Sequence, residues 1–346
     1  MKTHLNTLFV TLEGAYLKLD GAAVDVRVDK ESKLRVPLHN LDGIVTFGWD
    51  TTASAALMAA CAEHGVTLSF CTPYGKFLAA ATGFTPGNIL LRREQYRRAD
   101  SEAASLAIAV NVVAAKVANC RTVLLRAMRD HGAESPERVR VLQTACDYMA
   151  NRLQVIPRAA TLDQLRGLEG ECALTYFGAF PQLLTNHDPR VTMQGRSRRP
   201  PLDPVNCLLS FLYAMLAHDL RSACESCGLD PQCGFLHRDR PGRASLALDL
   251  MEEFRPVLAD RLTLSLLNRQ QLTADDFETQ ENGAVKLRDA ARKLVLAAWQ
   301  ERKRDEILHP FLDERMTIGL LPHLQARLLA RHLRGDLDAY PAFLWK

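Results

Sequence analysis

The hexapeptide Gly83-Phe84-Thr85-Pro86-Gly87-Asn88 separates two regions whose hydrophobic periodicities demand different secondary structure. Two glycines, a proline and an asparagine within six residues interrupt any helix or strand, so the stretch reads as a domain boundary. On its N-terminal side, LFVTLEGAYLKLDG (8–21) and AVDVRVDKESKLRVPL (23–38) alternate Val, Leu, Phe and Tyr with polar residues, the pattern of half-buried strands. Breaks at Glu13-Gly14, Asp20-Gly21 and Lys30 to Lys33 suit hairpin turns. GIVTFG (43–48) is a further short strand, residues 51–65 carry helical spacing stopped by Gly65, and 66–83 return to strand and turn.

Beyond the boundary almost everything reads as helix. Residues 90–130 form a long periodic run without proline, followed by helices around 136–155, 158–180, 203–227, 244–268, 273–278, 284–305 and 314–335, with breaks at 185–204 and at ENGAV (281–285). A chain of 346 residues is long enough for two cores. The expected fold is α+β with two domains: a small β-rich domain over 1–82, a linker over 83–90 and a larger all-α domain over 91–346.

The segment CGFLHRDRPGRASLALDLMEEFRP (233–256) gathers a histidine and three carboxylates into one turn and one helix. Positions three and four apart share a helix face, so Asp249 stands beside either Glu252 or Glu253. With His237 they make a donor set suited to Mg²⁺ or Mn²⁺, or to Zn²⁺ if thiolates join. Carboxylates at this spacing also occur on solvated helix faces; the Leu and Met on nearly all sides here argue for burial. A second acid, Glu169, lies between Gly167 and Gly170 in an otherwise helical pattern, where each glycine forfeits roughly 1 kcal/mol relative to alanine. Paired glycines there point to close approach of another backbone or a ligand, or to an ordinary helix start.

Ten arginines, Arg92, Arg93, Arg97, Arg98, Arg196, Arg198, Arg199, Arg238, Arg240 and Arg243, fall in three short segments, and Tyr96, Tyr176 and Tyr213 are available for stacking. Because 43 basic residues meet 40 acidic ones, any nucleic-acid surface must be a local patch; solvated charge runs give the same pattern. Cys224, Cys227, Cys233 and His237 imitate a zinc site without a standard spacing. The nine cysteines otherwise read as buried apolar residues rather than a disulfide framework. There is no phosphate loop, dinucleotide fingerprint or nucleophile elbow, and no signal-peptide layout or apolar run near 18 residues. The expectation is a cytoplasmic protein, away from membranes, whose chemistry is metal-assisted.

The order RGLEG (166–170), RRPPLDPVNCLLSFLYAML (198–216) and CGFLHRDRPGRASLALDLMEEFRP (233–256) resembles the CRISPR-associated integrase of the spacer-acquisition machinery, the universal adaptation nuclease of prokaryotic CRISPR systems. The segment LQARLLARHLRGDLDAYPAFLWK (324–346) resembles most its type I-C branch. The resemblance implies metal ligands at Glu169, His237 and Glu252, which would be the catalytic residues. Asp249 would support the site, and Glu253 is an alternative ligand. It also implies Mg²⁺ or Mn²⁺ as cofactor, and integration of prespacer DNA into a CRISPR array. A 3′-hydroxyl would attack a repeat phosphodiester, with nuclease activity on branched or single-stranded DNA as the hydrolytic counterpart. The implied partners are DNA, a second copy joined through the β-rich domain, and a small companion protein. Arg92, Arg93, Arg196, Arg198, Arg199, Arg238 and Arg243 become DNA contacts, with Tyr176 and Asn206 as supporting or DNA-facing residues. The rival reading is a non-catalytic nucleic-acid-binding scaffold, whose affinity would fall steeply with salt and need no metal.

Overall fold

The computed structural model describes residues 7–41, 43–73, 77–81, 83, 89–131, 135–186 and 188–345. The chain packs as two compact units, Met1–Pro86 and Gly87–Lys346. Of the expected linker, residues 84–88 lie outside the described residues, and Ile89 and Leu90 already belong to a helix.

The N-terminal unit contains β1 (Thr7–Val10), β2 (Tyr16–Asp20), β3 (Ala23–Val28), β4 (Glu31–Pro37), β5 (Gly43–Phe47), β6 (Thr52–Ala53), α1 (Ala55–Glu63), β7 (Thr67–Cys71) and β8 (Phe77–Ala81). One sheet runs β1-β5-β7-β8, its first three strands parallel; the other runs β4-β3-β2-β6, with β2, β3 and β4 antiparallel. The apolar run of β5 is buried along its whole length, as a central parallel strand requires. Val10, Leu17, Val24, Val26, Ile44, Leu57 and Leu68 share one core, on which α1 closes through Leu57 and Cys61. The turn at Asp20-Gly21 is a hairpin, with Gly21 at φ +60°. The next is at Asp29-Lys30, both at positive φ, one residue earlier than the charge pattern placed it. Glu13-Gly14 is no hairpin, because β1 and β2 enter different sheets.

The C-terminal unit is built from α2 (Ile89–Asp100), α3 (Glu102–His131), α4 (Pro136–Val155), α5 (Leu162–Ala179), α6 (Pro204–Ser226), α7 (Ser245–Phe254), α8 (Arg261–Asn268), α9 (Asp289–Arg304) and α10 (Leu321–Leu333). The uninterrupted periodicity of 90–130 is broken at Ser101, whose hydroxyl accepts from the Ala104 amide and starts a new helix. A π-helical turn, Arg255–Asp260, joins α7 to α8 where Pro256 cannot donate to the regular ladder. The unit is not all-α. Two antiparallel hairpins interrupt it, β9 (Phe277–Thr279) with β10 (Val285–Leu287), and β11 (Glu306–Leu308) with β12 (Arg315–Thr317). Three-residue strands leave no readable alternation, although Asn282-Gly283 at the first hairpin, with Gly283 at φ +78°, is a strong local turn signal.

Helix α3 is the hub, packed against α2, α4, α5 and α7. By length and composition Glu102–Asp130 could cross a membrane, but it lies inside the unit and carries two polar residues, Lys116 and Asn119, at its buried centre. An ammonium and a carboxamide at such depth need partners from other helices.

A candidate active site around Lys116

Helix α7 presents its acids to the interior: Asp249, Glu252 and Glu253 are 2%, 2% and 0% exposed, which removes the solvated-face reading. The first of them folds the preceding turn. Asp249 accepts from the amides of Phe235 (2.6 Å), Leu236 (2.9 Å) and His237 (3.0 Å), and lies 2.6 Å from His237 Nδ1. A Cβ on Gly234 would stand 2.7 Å from Asp249 Oδ2 and 2.8 Å from Ser245, so the turn closes only over glycine. With Nδ1 engaged by Asp249, Nε2 is the ring nitrogen left to act as a ligand, and it lies 3.8 Å from Glu252 Oε1. Asp249 therefore orients the histidine.

Lys116, 6% exposed, extends from α3 between two carboxylates of other helices. Its ammonium donates to Glu169 Oε1 of α5 and lies 2.6 Å from Glu252 Oε2 of α7. Burial opposes its charge, but Glu252 and Glu169 outweigh burial and raise its pKa. Arg255 adds a second cation, its Nη1 at 2.9 Å and 3.1 Å from the two Glu252 oxygens. Burial would push Glu252 up, yet Arg255, Lys116 and His237 together hold its carboxyl below the usual range. Around Glu169 the helix surface is open: a Cβ on Gly167 or Gly170 would meet nothing within 4 Å. The glycines do not mark a close approach of protein backbone.

Behind this cluster lies a second buried acid. Asp260, at the end of the π-helical turn, accepts from Tyr213 (2.6 Å) and Tyr176 (2.9 Å). Burial pushes its carboxyl up to about 6 against the lowering effect of both phenols. The Tyr213 ring lies under the guanidinium of Arg255 at 4.9 Å and near that of Arg196 at 5.4 Å. A continuous path of contacts thus runs from Glu252 through Arg255 and Tyr213 to Asp260.

Several expected residues stand elsewhere. The oxygens of Glu253, the expected alternative ligand, accept from Tyr340, Gln325 and the Phe343 amide instead of joining the Lys116 contact. Tyr176 and Asn206, expected as supporting or DNA-facing residues, are 1% and 0% exposed and bonded within the protein. Tyr176 supports Asp260, and Asn206 ties Gly195, Ser197 and Arg196 to the start of α6. Arg196 is half-buried on Asn206, Ser210 and the aromatic rings. Arg198 and Arg199 are exposed, and the charges of Arg199, Arg240 and Arg255 all reach Arg243, whose pKa burial and these neighbours lower. Two of the three arginine segments thus converge near the site. Arg238 is exposed and engaged by Asp163 at 2.8 Å. On α2, Arg92 donates to the Gly228 carbonyl, Arg98 pairs with Glu94, and Arg93 is exposed. Between α2 and the His237 turn lies a cleft of about 660 Å³ lined by Tyr96, Asp230, Cys233, Asp239 and Arg240. Cys224 is fully buried and the Cys227 thiol donates to the His323 carbonyl. Among the described residues no three His, Cys, Asp or Glu groups close around one point.

Lys116, Arg255 and Asp260 were not found by spacing. The signal for Lys116 was its place in SLAIAVNVVAAKVANC, where an ammonium can be buried only against carboxylates from elsewhere in the chain.

The sequence profile of CRISPR associated protein Cas1 matches residues 8–301. The chain belongs to the Cas1 family. A CRISPR-associated endonuclease Cas1 of Rhodospirillum rubrum is 55% identical over 348 residues, spanning 100% of both chains. Two solved structures share the fold. One is a casposase bound to integration product, with a TM-score of 0.82 at 21% identity over 99% of this chain and 95% of that one. The other is a chain of a Cas6-RT-Cas1–Cas2 complex, with a TM-score of 0.82 at 24% identity over 100% of this chain and 36% of that one. In this chain, the residues that meet at Lys116 come from RGLEG and DLMEEFRP, two segments far apart in sequence.

Proposed function

We propose that this protein is a divalent-metal-dependent DNA integrase and endonuclease. In the cytoplasm it would insert prespacer DNA into a CRISPR array by 3′-hydroxyl attack on a repeat phosphodiester, and hydrolyse branched or single-stranded DNA when water replaces the hydroxyl. The observation that carries this reading is one cation held between two carboxylates: the Lys116 ammonium bridges Glu169 and Glu252, with His237 Nε2 facing the same group. Two carboxylates and a neutral imidazole fit Mg²⁺ or Mn²⁺ by donor chemistry, and the ammonium marks where positive charge is accommodated.

Glu169, Glu252 and His237 would hold the ion, which when bound supplies Lewis-acid polarisation of a phosphodiester and neutralisation of its charge. The protein's own residues do the rest. Asp249 fixes the imidazole so that Nε2 stays a lone-pair donor. Arg255 keeps Glu252 ionised in a buried setting. The open surface at Gly167 and Gly170 leaves Glu169 approachable by a DNA backbone, and Arg199, Arg240 and Arg243, the last reached by the charges of the other two and of Arg255, would supply phosphate contacts. Exchange of one phosphodiester for another needs neither ATP nor a covalent protein intermediate.

Relatives that are CRISPR-associated endonucleases, and similar structures of a casposase on an integration product and of a complex with Cas2, support DNA and a small companion protein as partners. A homodimer through the N-terminal unit and membership of the type I-C branch belong to the same proposal.

The test combines the protein, its companion, a supercoiled plasmid carrying the cognate repeat and a labelled duplex with free 3′-hydroxyls, in Mg²⁺ or Mn²⁺. Label should enter the plasmid, and Glu169→Gln, His237→Ala and Glu252→Gln should each abolish transfer while DNA binding persists. Binding by the wild type without transfer in any divalent ion would instead favour a non-catalytic scaffold.

A further inference from the structure

The segment Tyr340–Trp345 lies across α3 and α7, held by polar groups at positions that could have been filled by apolar ones. Glu253, wholly buried between Glu252 and Phe254, accepts from the Tyr340 hydroxyl at 2.5 Å and from the Phe343 amide at 2.6 Å. Gln325 donates to the same carboxylate at 3.0 Å and also reaches Tyr340 and the Pro341 carbonyl. On α3, the Asn119 amide donates both to the Glu253 carbonyl (2.8 Å) and to the Phe343 carbonyl (2.9 Å), while its oxygen accepts from the Trp345 amide (2.8 Å). Phe343 stacks on Phe254 at 5.5 Å, and the guanidinium of Arg261 lies 4.2 Å over the Trp345 ring.

The placement of these anchors matters. Asn119 stands one helical turn beyond Lys116 on α3 and shares its face. Glu253 is the next residue after Glu252, and one helical step of about 100° turns its side chain toward the segment while Glu252 faces the site. The segment therefore grips both helices at residues adjoining the Lys116–Glu252 contact. Covering the core would require only apolar side chains. Buried polar groups that satisfy one another fix one geometry and reject others.

We infer that Asn119 and Glu253 are positioning residues for DNA strand transfer, and that Tyr340–Trp345 is the strap through which they hold Glu252 in register with Lys116 and Glu169. The inference rests on the integrase reading for its catalytic consequence, whereas the mechanical link from segment to α7 is independent of it.

The experiment uses the full chain with its companion and DNA. Tyr340→Phe removes one hydroxyl without changing shape; Glu253→Gln replaces one acceptor by a donor; Asn119→Ala cuts the link to α3. Three quantities are read: hydrogen exchange of the peptide spanning 245–254, the DNA dissociation constant, and the strand-transfer rate at saturating DNA. All three variants should speed exchange across α7 and slow transfer by about tenfold or more, the range in which small misplacements act, with DNA affinity within about twofold of wild type. A merely structural role would lower folded population and binding together and leave the saturated rate per folded molecule unchanged. Unchanged α7 exchange in Tyr340→Phe, or unchanged saturated transfer despite faster exchange, overturns the proposal. If Glu253→Gln or Asn119→Ala fails to fold, Tyr340→Phe decides. If wild type transfers no DNA, the integrase reading falls, and α7 exchange alone then decides the strap.

Discussion

Lys116 Nζ lies 2.6 Å from Glu252 Oε2, and both groups are almost wholly buried. An ammonium so placed is the resident counter-ion of two carboxylates drawn from different helices. Replacing it by Met should leave buried negative charge and lower stability by about 3–5 kcal/mol without divalent ions. Mn²⁺ should restore part of the loss and shift the variant's melting temperature more than that of wild type. Thermal melts with and without Mn²⁺ check this, and equal shifts in both proteins would count against a cation site.

The glycines divide into two kinds. A methyl group at Gly170 meets nothing within 4 Å, so Gly170→Ala should stabilise α5 by up to about 1 kcal/mol. Gly234→Ala would press on Asp249 and Ser245 and should destabilise by about 1–3 kcal/mol. Chemical denaturation separates them. If the open surface is where DNA approaches, Gly170→Ala will also slow strand transfer despite its greater stability.

Asp260 gives a pH signature. Its carboxyl, raised by burial from 3.8 to about 6, binds its proton more tightly in the folded state than in the unfolded one. Its contribution to stability is therefore full below about pH 4 and declines as the pH rises through 6. The facing groups, the Tyr176 and Tyr213 phenols and the Arg196 and Arg255 guanidiniums, do not titrate in that window. The stability of wild type relative to Asp260→Asn should fall by on the order of 3 kcal/mol between pH 4 and 7. A difference curve that is flat over this range would refute the assignment.

Arginines at the site should be separable by salt. Arg199→Ala and Arg243→Ala should each reduce the slope of log affinity for DNA against log salt by about 1, uniformly across sequences. Arg238→Ala should change it less, because Asp163 already neutralises that side chain. Asn206→Ala should leave the slope alone and destabilise by roughly 1–3 kcal/mol, since it orphans buried partners. Fluorescence anisotropy over a KCl series distinguishes the three classes.

The sequence carried the long elements well and the short ones poorly. Helix α4 occupies Pro136–Val155 and α6 occupies Pro204–Ser226, close to the expected spans, because Ser135-Pro136 and Asp203-Pro204 are strong starts before sustained apolar periodicity. The strands β9, β10 and β12 fell within expected helices and β11 between two of them, since three residues cannot establish a period. At the site, His237 and the acids of α7 were legible as a cluster. Which acid faces which way was not, because adjacent helical positions differ only in azimuth, and that azimuth is set by what packs on α7. Lys116 was invisible for a related reason: its partners lie on other helices, and only tertiary structure turns a lysine in an apolar run into a counter-ion.

The carboxylate of Glu253 waits for a partner 90 residues further along the chain, and Asn119 for one 226 residues away. A ribosome adding roughly 5–20 residues per second takes several seconds to cross even the shorter gap. Until those residues have been made, Glu253 lacks the groups that cover and satisfy it in the finished fold. The contacts of Glu253 and Asn119 with Phe343 and Trp345 can therefore form only once nearly the whole chain has been made.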